Sequence, residues 1–141
     1  DLLSREIVGW SLSDFMKTEL VKDALCMALR RRNPKPGLIH HSDRGVQYAS
    51  DRYQELLKRH GMICSMSRKG NCWDNACQER FYRSLKSEWP GDRVCENHHH
   101  ADCLVFEYIE VFYNRKRRHS TLGFVSPDEF ERRHHHSQVA A

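Results

Sequence analysis

At 141 residues with 39% hydrophobic side chains, the chain has material for one core and little room for a second domain. The 23 basic and 19 acidic residues leave a formal charge of +4, and 10 histidines raise it in mild acid; this suits an anionic partner without specifying one. The longest apolar run, residues 24–29, falls far short of the roughly 20 needed to span a bilayer, and no charged-then-apolar leader opens the chain. Its six cysteines are therefore expected to stay reduced, in a soluble intracellular domain.

In chain order, residues 1–11 carry Ile7, Val8 and Trp10 and read as the end of one strand, a turn and a second strand. A chain seldom opens inside a sheet or without methionine, so a preceding segment is expected. Residues 18–32 place Leu20, Val21, Ala24, Leu25, Ala28 and Leu29 at three- and four-residue steps, predicting an amphipathic helix with Thr18 as N-cap; Asn33 and Pro34 stop it. Residues 38–41 read as a short buried strand. Ser50 caps a helix bearing Tyr53, Leu56 and Leu57, which Gly61 ends before a strand at 62–65. The alternation is that of an α/β fold.

Residues 66–73, with Gly70 and Asn71, read as a loop before a helix at 75–89. A further helix over 100–113 aligns Leu104, Val105, Tyr108, Ile109 and Phe112 on one stripe, and a basic break follows at 114–119. Ser126, Pro127 and Glu129 form a capping box with proline at the first helical position. The histidines at 134–136 are assigned to a flexible tail, giving a domain over 1–133 and a tail over 134–141.

Asp43 directly follows the strand at 38–41, so its carboxylate would stand at the carboxyl edge of a sheet, where α/β folds gather ligands; a turn aspartate before Gly45 is the alternative. On the 75–89 helix, Glu79 shares a face with Tyr82, Arg83 and Lys86, while Cys77, Phe81 and Leu85 face the core. A Glu–Arg pair at i,i+4 is by itself ordinary helix surface.

Taken together the two acids say more. Residues 44 to 78, 35 in number, separate Asp43 from Glu79, and Lys86 lies seven beyond the glutamate. That spacing and several ordered motifs resemble the integrase-core, DDE-type transposases of bacterial insertion sequences, relatives of retroviral integrases. The motifs are Asp1-Leu-Leu-Ser-Arg5, His41-Ser-Asp-Arg-Gly-Val-Gln-Tyr48, Asn71-Cys-Trp-Asp-Asn-Ala76 leading to Glu79, Phe81-Tyr-Arg-Ser-Leu-Lys-Ser-Glu88, and Tyr113-Asn-Arg-Lys-Arg-Arg-His-Ser-Thr-Leu-Gly123.

The resemblance implies an RNase H-like mixed sheet flanked by helices, lacking its first strands here. It implies carboxylates holding two Mg²⁺ or Mn²⁺ ions for phosphoryl transfer, with Asp43 and Glu79 as ligands. Oxygen donors suit such hard cations. Lys86 resembles the family lysine that contacts DNA near the scissile phosphate, with Arg83 beside it. The basic stretch with Arg115, Lys116, Arg118 and His119 reads equally as a set of phosphate contacts or as a solvated basic turn, and Arg44, Gln47, Arg68 and Lys69, bordering the site, are softer DNA candidates. The 66–73 loop resembles the family's mobile active-site loop.

The first aspartate of the family's triad has no match: Asp1, Asp14 and Asp74 lack its context. The chain is therefore expected to be a catalytic-core fragment, inactive alone, of a bacterial, nucleoid-associated transposase that assembles as a dimer or larger on element ends and target DNA. A folded fragment that binds DNA or self-associates without cleaving is the alternative, and an RNase H-like nuclease of another kind the third. The spacings of Cys72, Cys77, Cys95, Cys103 and residues 98–100 do not match structural zinc motifs.

Overall fold

The computed structural model describes residues 1–68, 75–89 and 95–139. They form two compact units, one of residues 8–80 and one of residues 1–7 with 81–141, each with its own packing.

In the first unit, α1 (Thr18–Arg32) has the predicted bounds, but its N-cap is Lys17, whose side chain makes no cap bond. Asn33 ends it in a left-handed conformation, its N–H bonded to the Leu29 carbonyl at 2.8 Å. The strands β1 (Ile39–Ser42) and β2 (Ile63–Met66) pair in parallel, Ile39 opposite Ile63 and Ser42 opposite Met66. A parallel pair needs a crossover, supplied by a short α2 (Val46–Ala49), which the sequence did not announce, and α3 (Asp51–Arg59). Ser50 is the N-cap of α3, yet its hydroxyl donates backward to the Gln47 carbonyl at 2.7 Å, tying the two helices.

Leu25, Leu29, Tyr53 and Leu57 form the core, with Val21, Tyr48, Leu56 and Met62 against it. The Tyr53 hydroxyl reaches His40 Nε2 at 3.1 Å, so β1 turns His40 inward. The expected burial of β1 fails at its start, where Leu38 is 50% and Ile39 64% exposed. Burying both faces of a parallel strand takes cover on both sides, and the described core lies on the Tyr53 side alone. Gly9 lies so close to α1 that a Cβ there would stand 2.2 Å from the Ala24 carbonyl oxygen.

In the second unit, α4 (Ala76–Glu88) enters from the first, and α5 (His98–Phe106) follows, capped by Asn97, whose side chain accepts from the His100 N–H. The predicted single helix instead widens into a π-helical stretch over Glu107–Tyr113, with the Asn114 N–H bonded to the Ile109 carbonyl five residues back. The extra residue per turn rotates the stripe: Tyr113 is 6% exposed and Phe112 39%, reversing the expectation for Phe112.

A 3₁₀ turn (Ser120–Leu122) leads to α6 (Pro127–Val139). The Ser126 hydroxyl accepts from the Glu129 N–H at 3.2 Å, as the capping box predicts, and the Glu129 carboxylate pairs with Arg133. Helix α6 runs from Pro127 as far as Val139, and the His134 ring lies parallel to Phe130.

The expected strands at 1–11 are also absent. Residues 2–4 form a turn in which the Asp1 carboxylate accepts from the Leu3 and Ser4 N–H groups at 2.7 and 3.1 Å, a local use for this acid. Beyond it, Ile7 pairs with a side chain rather than a strand. Its N–H donates to Asn114 Oδ1 at 2.9 Å and its carbonyl accepts from Asn114 Nδ2 at 3.0 Å, so one buried amide stands where a neighbouring strand would.

Asn114→Ala should therefore cost about 2 kcal/mol or more in denaturant unfolding, because both Ile7 backbone groups lose their partners. Asn114→Asp, which keeps only an acceptor, should fall between. A loss below about 0.5 kcal/mol for the alanine variant would show that water replaces the amide.

Candidate active site

Asp43 stands one residue beyond β1, and its position is set by short bonds at the carboxyl edge of the strand pair. The Ser67 N–H extends the ladder to the Ser42 carbonyl at 2.9 Å, and Arg44 Nε donates to the Ser67 carbonyl at 2.9 Å, tying both strand ends. Asp43 Oδ1 accepts from the Gly45 N–H at 2.7 Å, which fixes the carboxylate and leaves its other oxygen outside that bond. Both readings of Asp43 thus describe the same residue, a turn former at a strand edge. Gly45 is there for space: a Cβ would lie 2.9 Å from Asp43 Oδ1 and 3.0 Å from Gln47 Oε1. Gln47 Nε2 donates to the Met16 carbonyl at 3.3 Å.

Glu79 sits in the first turn of α4, where every residue from Ala76 to Arg80 is exposed, and it belongs to the same unit as Asp43. Cys77, expected in the core, is exposed as well. Phe81, one turn on, meets the Tyr113 ring edge-on at 5.1 Å. Arg83 and Lys86 are exposed farther along the helix.

The last turn of α4 is held by polar contacts. Arg117 Nε lies 2.9 Å from each Glu88 oxygen, its Nη2 donates to Glu88 Oε1 at 2.7 Å and to Ser84 Oγ at 3.0 Å, and the Tyr108 hydroxyl donates to Glu88 Oε2 at 2.9 Å. The guanidinium also lies over the Tyr113 ring. The hydrogen bonds from Arg117 hold the Glu88 carboxyl below its usual range, and those bonds in turn raise Arg117.

His119, expected at a phosphate, is 9% exposed, edge-on to Tyr113 at 5.0 Å, with Arg117 Nη1 3.4 Å from Nε2. Burial first, then the Arg117 charge, push it down to about 4, so it is neutral at pH 7 and offers no charge to an anion. Arg115, Lys116 and Arg118 are exposed. Arg117 escaped the sequence reading because nothing in a run of four basic residues says which one turns inward. Arg68 is described, whereas Lys69 and most of the 66–73 loop, with Asp74, lie outside the described residues.

Asp43 and Glu79 supply hard oxygen donors, which fit a divalent cation in kind. Among the described residues no group of three His, Cys, Asp or Glu could hold a metal, so the donor number falls short. His99 Nε2 and Cys103 Sγ approach to 3.8 Å and His98 to 3.6 Å from Asp102, each an i,i+4 pair on α5.

Two integrase core domain profiles match the sequence, one over residues 1–72 and the other over residues 60–127. The chain belongs to the integrase core domain family. It is 48% identical over 132 residues to the transposase for insertion sequence element IS904 of Lactococcus lactis, covering 94% of this chain and 52% of that protein. It is 50% identical over 131 residues to transposase InsF for insertion sequence IS3A of Escherichia coli, covering 93% and 46%. The chain thus spans about half the length of these curated relatives. Its fold matches the catalytic core domain of BIV integrase with a TM-score of 0.60 at 21% identity, over 90% of this chain and 78% of that one. The RNase H-like α/β class follows. No helix among the described residues is long and apolar enough to cross a membrane.

The C-terminal cluster gives this integrase core a pH dependence. His119 is held neutral when folded and takes a proton near 6.5 when unfolded, so between about pH 6.5 and about 4 the unfolded chain binds the extra proton and stability falls as pH falls. Glu88, lowered by Arg117, adds loss in the same direction at the acid end. His119→Gln should flatten the pH 6.5–4 part of a thermal-midpoint profile; an unchanged slope would show that His119 is protonated alike in both states.

Proposed function

We propose that this chain is the part of an insertion-sequence transposase core that contributes Asp43 and Glu79 to a divalent-metal site for DNA strand cleavage and strand transfer. The identity to two insertion-sequence transposases over more than nine-tenths of the chain carries the reading. The fixed Asp43 carboxylate at the strand edge supports it, as does an exposed Glu79 within the same unit.

In this reading Asp43 and Glu79 hold Mg²⁺ or Mn²⁺, which when bound activates an attacking hydroxyl and stabilises a leaving oxygen at phosphorus. Gly45 keeps Asp43 clear of steric displacement. Lys86 and Arg83 bring positive charge to the exposed side of the helix that carries Glu79, and Arg115, Lys116 and Arg118 neutralise phosphates elsewhere on the strand. Element ends and target DNA are the substrates; assembly of two or more copies on DNA, in a bacterial cell, belongs to the same reading and rests on the family resemblance.

A second reading, a folded segment that binds DNA without cutting it, is favoured by one observation: among the described residues no three His, Cys, Asp or Glu side chains are grouped so as to hold a metal.

Placed in a transposase of the relatives' full length, Glu79→Gln should slow metal-dependent strand cleavage by at least about a hundredfold while changing DNA affinity less than about twofold. Cleavage at the parental rate would contradict the metal role. In the chain itself, Lys86→Ala should reduce the slope of log affinity against log salt by about one, read by anisotropy on duplex DNA. An unchanged slope would remove Lys86 from the DNA face.

A further inference from the structure

The turn before α6 holds an aromatic ring in water at a conformational cost. Gly123 and Phe124 both have positive φ, +73° and +61°. The first is the residue such a conformation favours; the second is a bulky side chain that rarely adopts it. The turn is tightly determined: the His119 N–H bonds to the Val125 carbonyl at 3.0 Å, and the Phe124 and Leu122 N–H groups bond to the His119 carbonyl at 2.9 and 3.0 Å. Its neighbour Leu122 gains burial for this, whereas Phe124 is 68% exposed. Folding alone would favour glycine or asparagine at 124. A strained residue whose side chain is left mostly in water is a signature of a site for something else.

The surroundings narrow what that is. Arg118 is exposed and precedes His119, the residue bridged to Val125, so Arg118 and Phe124 flank the same bridge. Arg115 and Lys116 are exposed one turn earlier. On the other side, Leu122 and Val125 join Phe130, Arg133 and His134 around an open cleft of about 290 Å³. An exposed ring in a stretch of chain with exposed cations is a poor docking face for an apolar protein surface, but it fits a polyanion that also presents flat π-faces.

We propose that the 119–125 turn is a stacking contact for an unpaired nucleobase of DNA, with Phe124 as the platform and Arg118, Arg115 and Lys116 neutralising the flanking phosphates. The inference rests on the DNA-acting reading above and adds to it a preference for single-stranded over fully paired DNA at this turn. Stacking tolerates every base, because each has a π-face, and the cations supply the salt-dependent part of binding.

The test is anisotropy with the 141-residue chain and labelled single-stranded and fully paired oligonucleotides of one sequence. Phe124→Ala should lose about tenfold in affinity for the single strand and less than about twofold for the duplex. Phe124→Trp should retain binding, and Phe124→Leu, apolar but without a π-face, should fall with the alanine variant. The thermal midpoint of Phe124→Gly should not drop, because glycine relieves the positive φ.

Equal single-strand affinity for wild type and Phe124→Ala, or an equal loss on both oligonucleotides, would overturn the stacking contact. A lowered midpoint for Phe124→Gly would do the same by marking the ring as structural. So would dispersal of an oligomer by Phe124→Ala with DNA binding intact, since the ring would then serve a second copy. A wild-type chain that binds neither oligonucleotide would instead overturn the DNA-acting reading beneath it.

Discussion

The parallel pairing of β1 with β2 governs where Asp43 stands. Because the strands run together, both end at one edge; Ser42 and Ser67 close the ladder there, and Arg44 spans the two ends. Asp43 is the next residue, and the Gly45 N–H gives its carboxylate a direction. An antiparallel pair would have sent one of these ends away. The crossover that parallel pairing demands also supplies Tyr53 and Leu57, so the core and the strand edge come from one topological choice.

At the last turn of α4, polar contacts do what apolar burial does elsewhere. Helix α4 has no buried residue, and its last turn is held through Glu88 by Arg117 and Tyr108. Such an anchor is directional: it fixes rotation about the helix axis more tightly than a greasy contact would. It also makes the unit sensitive to acid, since His119 and Glu88 both favour the charge state of neutral pH. The π-helical stretch belongs to the same construction, because the added residue brings both Tyr108 and Tyr113 inward.

What could be read from the sequence was local. The bounds of α1, the stop at Asn33, the α3 helix and the Ser126 cap rest on neighbours within four residues, and all are present. The failures depend on distant partners or on an altered period. Residues 1–11 had the composition of a strand, but the partner of Ile7 is an amide 107 positions away. A 3.6-residue period aimed Phe112 inward where a π turn buries Tyr113. The helical wheel sent Cys77 to the core, whereas it is exposed. The spacing of Asp43 and Glu79 made them candidates, while Gly45's steric role and the inward turn of Arg117 and His119 needed coordinates.

The central claim is that Asp43 and Glu79 serve one cation, and manganese binding followed by electron paramagnetic resonance tests it most directly. If the two carboxylates share an ion, Asp43→Asn and Glu79→Gln each weaken the same site by about tenfold or more, and the double variant binds no worse than the weaker single one. Two losses that simply add, or manganese binding indifferent to either substitution, would mean that the acids do not meet at a metal.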